Sequence, residues 1–369
     1  MNKKDILELK KRFTKDRAGI TRVTGCYVNA DREKVTVFNE NFLNLEDEEM
    51  FKYLEIAKKT LSGKVGDNSL TLDMHEESSC QKSLLALKES QLKDNTFLDS
   101  FYDSVMENYE CEGNYLIVLF HDVYDIIKKS SDHLSLDESE EVYEYILCAI
   151  CPVKLSKPGL GYRENENRIG SRLRDWIVCV PETGFVYPAF TDRSSDIHAA
   201  MLYTKDVKNP HKEFVQQILG CEMKMTASQK REIMSDIIHH SVDNEDVADR
   251  VYYELQESIS STMDESKDMD DRQEVDIKEL MTSCSVNEDQ IAEIEKEYKE
   301  QFDKEETPLE QLYDKKAEKE LGVELEKREL VKSRESMKDL LREAAMELDR
   351  LNGSETELTI KIRNLLENK

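Results

Sequence analysis

The sequence predicts an α+β fold, in which a mixed, mostly antiparallel sheet with flanking helices is followed by an all-helical C-terminal part. Glycine and proline mark the division, because ten of the twelve glycines and five of the six prolines lie at or before Gly220. These residues favour turns and strand ends. Strand-like runs also follow one another in the first part, whereas a doubly wound fold would alternate each strand with a helix. We therefore expect one mixed domain and a helical remainder.

The N-terminal stretch predicts helices around a hairpin and a short strand. Residues 3–13 have helical spacing, and the run "ITRVTGCYVNADREKVTVF" alternates with a break at 29–32, which is typical of a hairpin. Residues 46–63 begin with acidic residues and end with lysines and a glycine, as an amphipathic helix does. The stretch "NSLTLDM" predicts a strand, and residues 76–91 and 96–109 predict helices.

Two long apolar runs are the predicted central strands of the sheet. "NYLIVLFHDVYDII" and "EVYEYILCAICPV" are rich in β-branched and aromatic residues, which is typical of strands buried on both faces. The shorter runs "RDWIVCVP", "GFVYPAF" and "HAAMLYT" complete the predicted sheet. In "GFVYPAF", Pro188 indicates an edge strand or a strand end, because proline cannot donate to a sheet.

Three domains follow from this division: an α+β domain over 1–220, a helical domain over 221–303 and an acidic helical tail over 304–369. Spacings of 4, 3, 4 and 3 residues separate Met337, Leu341, Ala344, Leu348 and Leu351 in the tail. This is the spacing of a coiled-coil seam, although it covers only about two heptads where three or four make the pattern convincing. A short coiled coil is therefore a candidate, and the C-terminal helices could bind a protein partner or a second copy of the chain.

The net charge of the chain is −27 and is unevenly distributed. Residues 1–220 hold 29 basic and 38 acidic side chains, whereas residues 221–369 hold 23 and 41. A protein that coats duplex nucleic acid is normally basic, because phosphate neutralisation supplies its affinity. The composition therefore argues against that class of protein. Two local basic patches stand out, at residues 1–22 and 154–174.

The sequence predicts a cytoplasmic protein without a membrane partner. No apolar run approaches the roughly 20 residues that cross a bilayer, and the N-terminal "MNKKDILELKKRF" has no apolar segment after its lysines. The eight cysteines are scattered along the chain, which is typical of reduced thiols in a cytosolic protein.

Several long stretches resemble one protein family. They are "ITRVTGCYV", "EEMFKYLEIAKKTLSGKVG", "NYLIVLFHDVYD", "EEVYEYILCAICPVKLSKPGLGY", "RDWIVCVPETGFVYPAFTDRSSDIHAAMLYTKD" and "QILGCEMKMTA". On these stretches, residues 20–229 resemble the domain-of-unknown-function family numbered four-three-one-seven, which occurs in Gram-positive bacteria. The resemblance implies family membership but no chemistry, because the family has no assigned activity.

Cys148 and Cys151 have the CxxC spacing of zinc and redox sites. A structural zinc site needs a second such pair or added histidines, and the sequence contains no second CxxC. A redox pair opens a helix, where the thiol pKa falls, whereas these cysteines lie in a strand-like run with alternating side chains. We expect buried core cysteines on opposite faces, and no metal or other cofactor.

The segment "KPGLGYRENENRIG" places two glycines beside basic residues. It lacks the Gly-Lys-Ser/Thr ending of a phosphate loop, and its glycine spacing does not match the dinucleotide fingerprint. We interpret it as a loop that carries arginines. The candidate anion-binding residues in and after this loop are Arg163, Arg168, Arg172 and Arg174.

Two polar groups follow apolar strands and are candidates for chemistry. His121, Asp122 and Asp125 could hold a metal ion or act as acid and base, or they could simply face water at a strand end. A polar knot, 191–196, lies between two apolar runs, a position where binding groups are common. Its candidate ligand-binding residues, with the histidine that follows, are Asp192, Arg193, Asp196 and His198.

The knot at 191–196 also fits a local turn, in which aspartate and serine side chains bond their own backbone. None of its serines has a nucleophile-elbow pattern, and one histidine does not make a triad. A turn is the preferred interpretation, with ligand contact and catalysis as alternatives.

Two functions fit these observations. The first is a non-enzymatic cytosolic binding or regulatory protein, with a basic face for an anionic ligand (a phosphorylated molecule or nucleic acid) and helices for a protein partner. The alternative is a hydrolase, metal-dependent or not, with a site near His121, Asp192 and His198. A metal bound to the purified protein would favour the hydrolase.

Overall fold

The computed structural model describes residues 1–75, 78–129, 135–265, 276–302, 307–352 and 354–367. The chain divides into two units, Met1–Gln229 and Lys230–Lys369. The strands of the first unit are β1 (Ile20–Val28), β2 (Lys34–Asn41), β3 (Ser69–Asp73), β4 (Asn114–Lys129), β5 (Ser135–Leu155), β6 (Leu160–Arg163), β7 (Arg168–Ser171), β8 (Trp176–Val178), β9 (Thr183–Tyr187), β10 (Ala189–Thr191), β11 (Ser194–Asp196) and β12 (Ala199–Thr204). Its helices are α1 (Lys3–Arg12), α2 (Asp47–Thr60), α3 (Ser79–Glu89), α4 (Asn95–Asn108) and α5 (Lys212–Phe214), which continues as a π-helical turn (Val215–Leu219).

An eight-stranded antiparallel sheet organises the first unit. The strand order is β2-β1-β4-β5-β9-β12-β3, and β8 pairs with the end of β5 beside that path. β4 and β5 are the longest strands, and their pairing runs from Asn114↔Val153 to Lys129↔Ser135. The hairpins β6–β7 and β10–β11 form two small sheets of their own. The predicted α+β class with a mostly antiparallel sheet is confirmed.

Both faces of the sheet are buried under helices. The odd-numbered residues of β4 from Tyr115 to Leu119 pack in one core with residues of α3, α4 and the helical turns at 212–219. The even-numbered residues from Leu116 to Phe120 pack in a second core with residues of α1 and α2. In a strand that is buried on both faces, apolar residues do not have to alternate with polar ones. This explains the continuous apolar runs that predict β4 and β5.

The run "GFVYPAF" forms two strands instead of one. β9 lies inside the sheet between β5 and β12, and the chain then leaves the sheet through Pro188, which follows a cis peptide bond. The next residues form the β10–β11 hairpin. The sequence indicates that Pro188 marks an edge strand or a strand end. In the structure it follows the end of β9, an inner strand.

The second unit is helical. The helices from the unit boundary onward are α6 (Ala227–Ser241), α7 (Glu245–Glu265), α8 (Ile277–Thr282), α9 (Glu288–Phe302), α10 (Leu309–Leu312), α11 (Lys315–Asn352) and α12 (Glu357–Glu367). The predicted helical C-terminal region is confirmed, and the domain limits at residues 220 and 303 stay predictions. Within the described ranges, no helix combines the length and the apolar character that a bilayer span requires.

Candidate functional site

A basic arm leaves the main sheet at the end of β5 and returns to it at β8. We use this name for residues 157–178, which contain β6, β7 and β8. β8 pairs with the last residues of β5, from Val153↔Val178 to Leu155↔Trp176. At the base of the arm, Ser156 donates its N–H to Asp175 O (2.8 Å), and the Ser156 hydroxyl oxygen accepts from the Asp175 N–H (3.0 Å). The arm is therefore held at its base and exposed along the β6–β7 hairpin.

The four predicted anion-binding arginines all lie on this arm. Arg163 pairs with Glu166 (3.2 Å) and donates to Ser171 O (2.9 Å), and Arg168 contacts the same Glu166 carboxylate. Their pairing in register, Arg163↔Arg168, puts both on one face of the hairpin. The arm as a whole is positive, because residues 157–178 hold five basic and three acidic side chains.

Arg172 and Arg174 lie between the hairpin and β8. Arg174 donates through Nε to Ser156 O (2.7 Å), which fixes its side chain near the base of the arm. Arg172 is exposed, and in the described part of the chain no acceptor engages its guanidinium group. Arg172 can therefore bind an incoming anion without first breaking a contact.

Large apolar side chains are exposed on the same arm as these arginines. The register Tyr162↔Ile169 puts both residues on the face of the hairpin opposite Arg163. Tyr162 is 60% exposed, Leu173 80% and Trp176 56%. Exposed aromatic rings on the same arm as the guanidinium groups provide stacking surfaces in addition to charge. The arm is thus amphipathic, a property that a count of its charges does not predict.

An open groove of about 740 Å³ lies next to the arm. It is lined by Glu48, Glu49, Phe51, Lys52, Tyr53, Ile56, Leu116 and Val178. A phosphate in this groove would meet two carboxylates and one ammonium group, on a largely apolar wall. The groove therefore does not suit a small phosphorylated ligand, and the charges that do suit an anion lie on the arm.

The polar knot at 191–196 is the turn of the β10–β11 hairpin. Thr191 pairs with Ser194, so Asp192 and Arg193 form a two-residue loop. Both have positive φ angles, 49° and 60°, which is the backbone of a type I′ turn. The turn that the sequence favours is confirmed, and ligand contact by the knot stays a prediction.

Arg193→Gly is expected to raise the free energy of unfolding by about 0.5–1 kcal/mol. A non-glycine residue in the left-handed region costs about 1–2 kcal/mol, and glycine avoids this cost although it loses about 0.5–1 kcal/mol more chain entropy. The half-exposed ion pair of Arg193 with Glu8 (3.2 Å) is lost, but such pairs contribute little. Urea denaturation measures the difference. Arg193→Ala is the control, because it loses the ion pair and keeps the positive φ. If the glycine variant is no more stable than the alanine variant, the positive φ does not lower the stability of the wild type.

His121 and Asp122 lie on opposite faces of β4 and do not form one site. Thr21 Oγ1 is 2.6 Å from His121 Nδ1, and Glu144 Oε1 is 2.8 Å from Nε2. Burial lowers the pKa of the His121 imidazole, which favours its neutral form. Both residues are buried, so the alternative in which they face water is wrong for them, whereas Asp125 is exposed.

Asp122 is the centre of a buried polar network on its face of the sheet. The Tyr145 hydroxyl donates to Asp122 Oδ2 (2.5 Å), and Arg12 Nη2 is 3.4 Å from Oδ1. Burial raises the pKa of the Asp122 carboxyl, and the charge of Arg12 opposes this rise. Arg12 belongs to the basic patch at residues 1–22, but it is a structural cation and not a surface charge.

This network continues from Asp122 to the Arg193 turn. The Arg12 guanidinium lies over the Tyr124 ring, 3.8 Å from its centroid. The Tyr124 hydroxyl donates to Glu8 Oε1 (2.6 Å), and Glu8 pairs with Arg193 (3.2 Å). Helix α1 therefore joins two candidate residues that the sequence leaves unconnected.

Asp196 and His198 lie beyond this network, on the return strand of the hairpin and just after it. Asp196 Oδ1 accepts from the His198 N–H (3.0 Å), and His198 Nδ1 is 3.3 Å from Gln81 Nε2. In the described ranges, no contact joins His121 to Asp192 or His198, and no three His, Cys, Asp or Glu side chains lie close enough together to hold a metal ion. The residues of the hydrolase alternative are not assembled into one constellation.

The arm and the Arg193 turn lie far apart along β5. In the middle part of this strand, the Tyr143 hydroxyl donates to Pro188 O (2.6 Å) at the β10–β11 hairpin. At the C-terminal end of the strand, Leu155 pairs with Trp176 on the arm. From residue 143 to residue 155 an extended strand covers about 40 Å, at ~3.3 Å per residue. The predicted ligand-binding residues thus form two separate groups.

Cys148 and Cys151 are buried on opposite faces of β5. Burial raises the pKa of the Cys151 thiol to about 12, and it raises the pKa of the Cys148 thiol well above its ordinary value. The thiolate, not the thiol, attacks electrophiles and binds metals. The predicted core cysteines are confirmed.

A family model described as a domain of unknown function, DUF4317, matches residues 1–340. The chain belongs to the DUF4317 family. The match confirms the resemblance over 20–229 and extends it to α1 and to most of α11. The DUF4317 region includes the whole arm and the Asp122 network, whereas the end of α11 and all of α12 lie outside it. No curated protein matches the chain.

Proposed function

We propose that this DUF4317 protein is a non-enzymatic binding protein whose basic arm binds single-stranded nucleic acid. One observation carries the proposal: Arg168 and Arg172 are exposed on the same short arm as the exposed rings of Tyr162 and Trp176. Arginine attracts phosphates and aromatic rings stack on bases. Together they are the usual means of binding a single strand.

The shape and charge of the arm favour a single strand over other anions. Small phosphorylated ligands bind in concave sites that bury most of their surface, and the arginines instead lie along an exposed ribbon. A duplex is bound through many phosphate contacts, which a net charge of −27 opposes. A flexible single strand can follow a narrow ribbon, and its stacking energy does not depend on the net charge.

The proposal includes a cytoplasmic location, a bacterial origin and a protein-binding role for the C-terminal helices. All eight cysteines are unpaired, and five of them are buried, which suits a reducing compartment. Nucleic acid is abundant in such a compartment, so a binding partner for the exposed basic arm is present there.

Binding to a fluorescent oligothymidylate tests the proposal. The combined substitution of Arg168, Arg172 and Arg174 by Ala is expected to weaken binding at least about tenfold and to flatten its salt dependence, because each phosphate contact contributes ~0.7 to the log–log slope. Tyr162→Ala with Trp176→Ala should weaken binding by about 1–3 kcal/mol per stacked base and leave the slope unchanged. Fluorescence anisotropy at several salt concentrations measures both effects.

A matched variant controls for the loss of charge. Lys205, Lys208 and Lys212 are exposed residues of the first unit outside the arm, and changing all three to Ala removes the same charge. This variant should bind like the wild type. The proposal fails if the wild type does not bind the oligonucleotide at low salt, or if the lysine variant loses as much affinity as the arginine variant.

A further inference from the structure

An apolar seam runs along α11. Its residues are Val323, Leu330, Met337, Leu341, Ala344, Leu348 and Leu351. The spacing from Met337 onward predicts two heptads. Helix α11 is continuous from Lys315 to Asn352, and the seven-residue repeat extends back from Met337 through Leu330 to Val323. The repeat thus covers about four heptads, which is the length of a coiled-coil seam. Leu330 is 70% exposed, Met337 64% and Leu351 71%.

Neighbouring helices pack on other sides of α11. Helix α7 contacts it through Asp246 and Asp249, which pair with Arg328 (3.0 and 2.9 Å). Helix α12 contacts it through Thr359, whose hydroxyl donates to Asp349 Oδ1 (2.7 Å). Neither Arg328 nor Asp349 belongs to the seam, so these contacts leave its apolar residues exposed, apart from Leu348, which is half-buried.

We propose that α11 forms an antiparallel coiled coil with α11 of a second copy of the chain. Lys327 and Arg334 occupy the remaining seam positions in the N-terminal half of the repeat. In a parallel, in-register pair each would face its own copy, and like charges at these positions repel. In an antiparallel pair, Leu341 of one copy can face Met337 of the second copy. Lys327 then faces Leu351 of the second copy and lies beside the Glu347 of that copy.

The charges of α11 favour a second copy over a different partner. The helix carries ten basic and ten acidic side chains in a chain of net charge −27, so this part of the predicted acidic tail is neutral and two copies do not repel. Lys327 has no ion-pair partner within the described ranges, and Glu347 of a second copy provides one. A patch that complements itself closes into a two-fold dimer. This inference does not depend on nucleic-acid binding by the arm.

Sedimentation velocity of the full chain at tens of micromolar tests the proposal. The wild type is expected to sediment as a dimer. Met337→Glu combined with Leu341→Glu places carboxylates at the centre of the seam and should give a monomer. Met346→Glu is the control, because Met346 is also exposed but lies on the opposite side of the helix from the seam; it should stay dimeric. A monomeric wild type, or a dimer unaffected by the double substitution, would overturn the proposal.

A charge reversal tests the antiparallel orientation. Lys327→Glu should weaken the dimer about fivefold, because it breaks both symmetry-related ion pairs and exposed pairs contribute little each. Adding Glu347→Lys to the same chain should restore the dimer. In a parallel dimer these residues lie about 30 Å apart, at ~1.5 Å per residue, and the second substitution would restore nothing. The absence of restoration would therefore reject the antiparallel pairing.

Discussion

Arg12→Ala is expected to lower the free energy of unfolding of the first unit by about 3–5 kcal/mol, because it leaves a buried charge without its partner. Asp122 is buried on the sheet and pairs with Arg12 across 3.4 Å. The substitution also removes the guanidinium from the Tyr124 ring. Urea denaturation followed by circular dichroism measures the loss.

Asp122→Asn separates the effect of the charge from the effect of packing. The asparagine keeps an oxygen that can accept from the Tyr145 hydroxyl, and it carries no charge. Combined with Arg12→Ala, it should recover part of the lost stability, since no unpaired charge then stays buried. A double-mutant cycle gives this coupling energy. If the stability loss of the double variant equals the sum of the two single losses, the unpaired buried charge is not the cause of the destabilisation by Arg12→Ala.

Gly184→Ala is expected to destabilise the first unit by about 3 kcal/mol or more, at the upper end of the cost of overpacking a core. Gly184 lies on β9 between β5 and β12. A Cβ atom there would be 2.2 Å from Cys148 O and 2.9 Å from Thr60 Cγ2. The carbonyl belongs to the neighbouring central strand and cannot move without disturbing its ladder. The thermal midpoint of the variant measures the effect.

Gly113→Ala is the matched control for this substitution. It makes the same chemical change just before β4, where an added Cβ meets no atom within 4 Å. Its effect should stay within about 0.5 kcal/mol, as for most surface substitutions. Equal losses at Gly113 and Gly184 would mean that steric contact does not explain the destabilisation.

The central strands could be predicted from the sequence because their signal is local. β4 and β5 are buried on both faces, so each is a continuous apolar run that needs no knowledge of its partners. The run "RDWIVCVP" predicts a strand as well, but the sequence does not show that only its residues Trp176–Val178 pair, with residues 153–155 of β5. The run "GFVYPAF" shows the same limit, because its apolar character continues through the point where the chain leaves the sheet.

The candidate site could be predicted only in part. The arginines of the arm are close in sequence, so their clustering is visible. The exposure of Tyr162 on the hairpin and of Trp176 on β8 depends instead on how the arm packs. The contact between Arg12 and Asp122 joins residues 110 positions apart, and no local pattern marks Arg12 among the other basic residues of α1. His121 and Asp122 are adjacent in sequence but do not meet in the structure, because neighbouring residues in a strand point to opposite faces.

The pairing of β3 with β12 has a consequence for the synthesis of the chain. Leu70 on one edge of the sheet pairs with Leu202, so the segment at residue 70 leaves the ribosome long before its partner exists. At about 5–20 residues per second, the delay is on the order of ten seconds. During that time Leu70 and Leu72 belong to an unpaired apolar strand, which is the kind of segment that chaperones bind. The first unit can complete its sheet only after more than half of the chain has been translated.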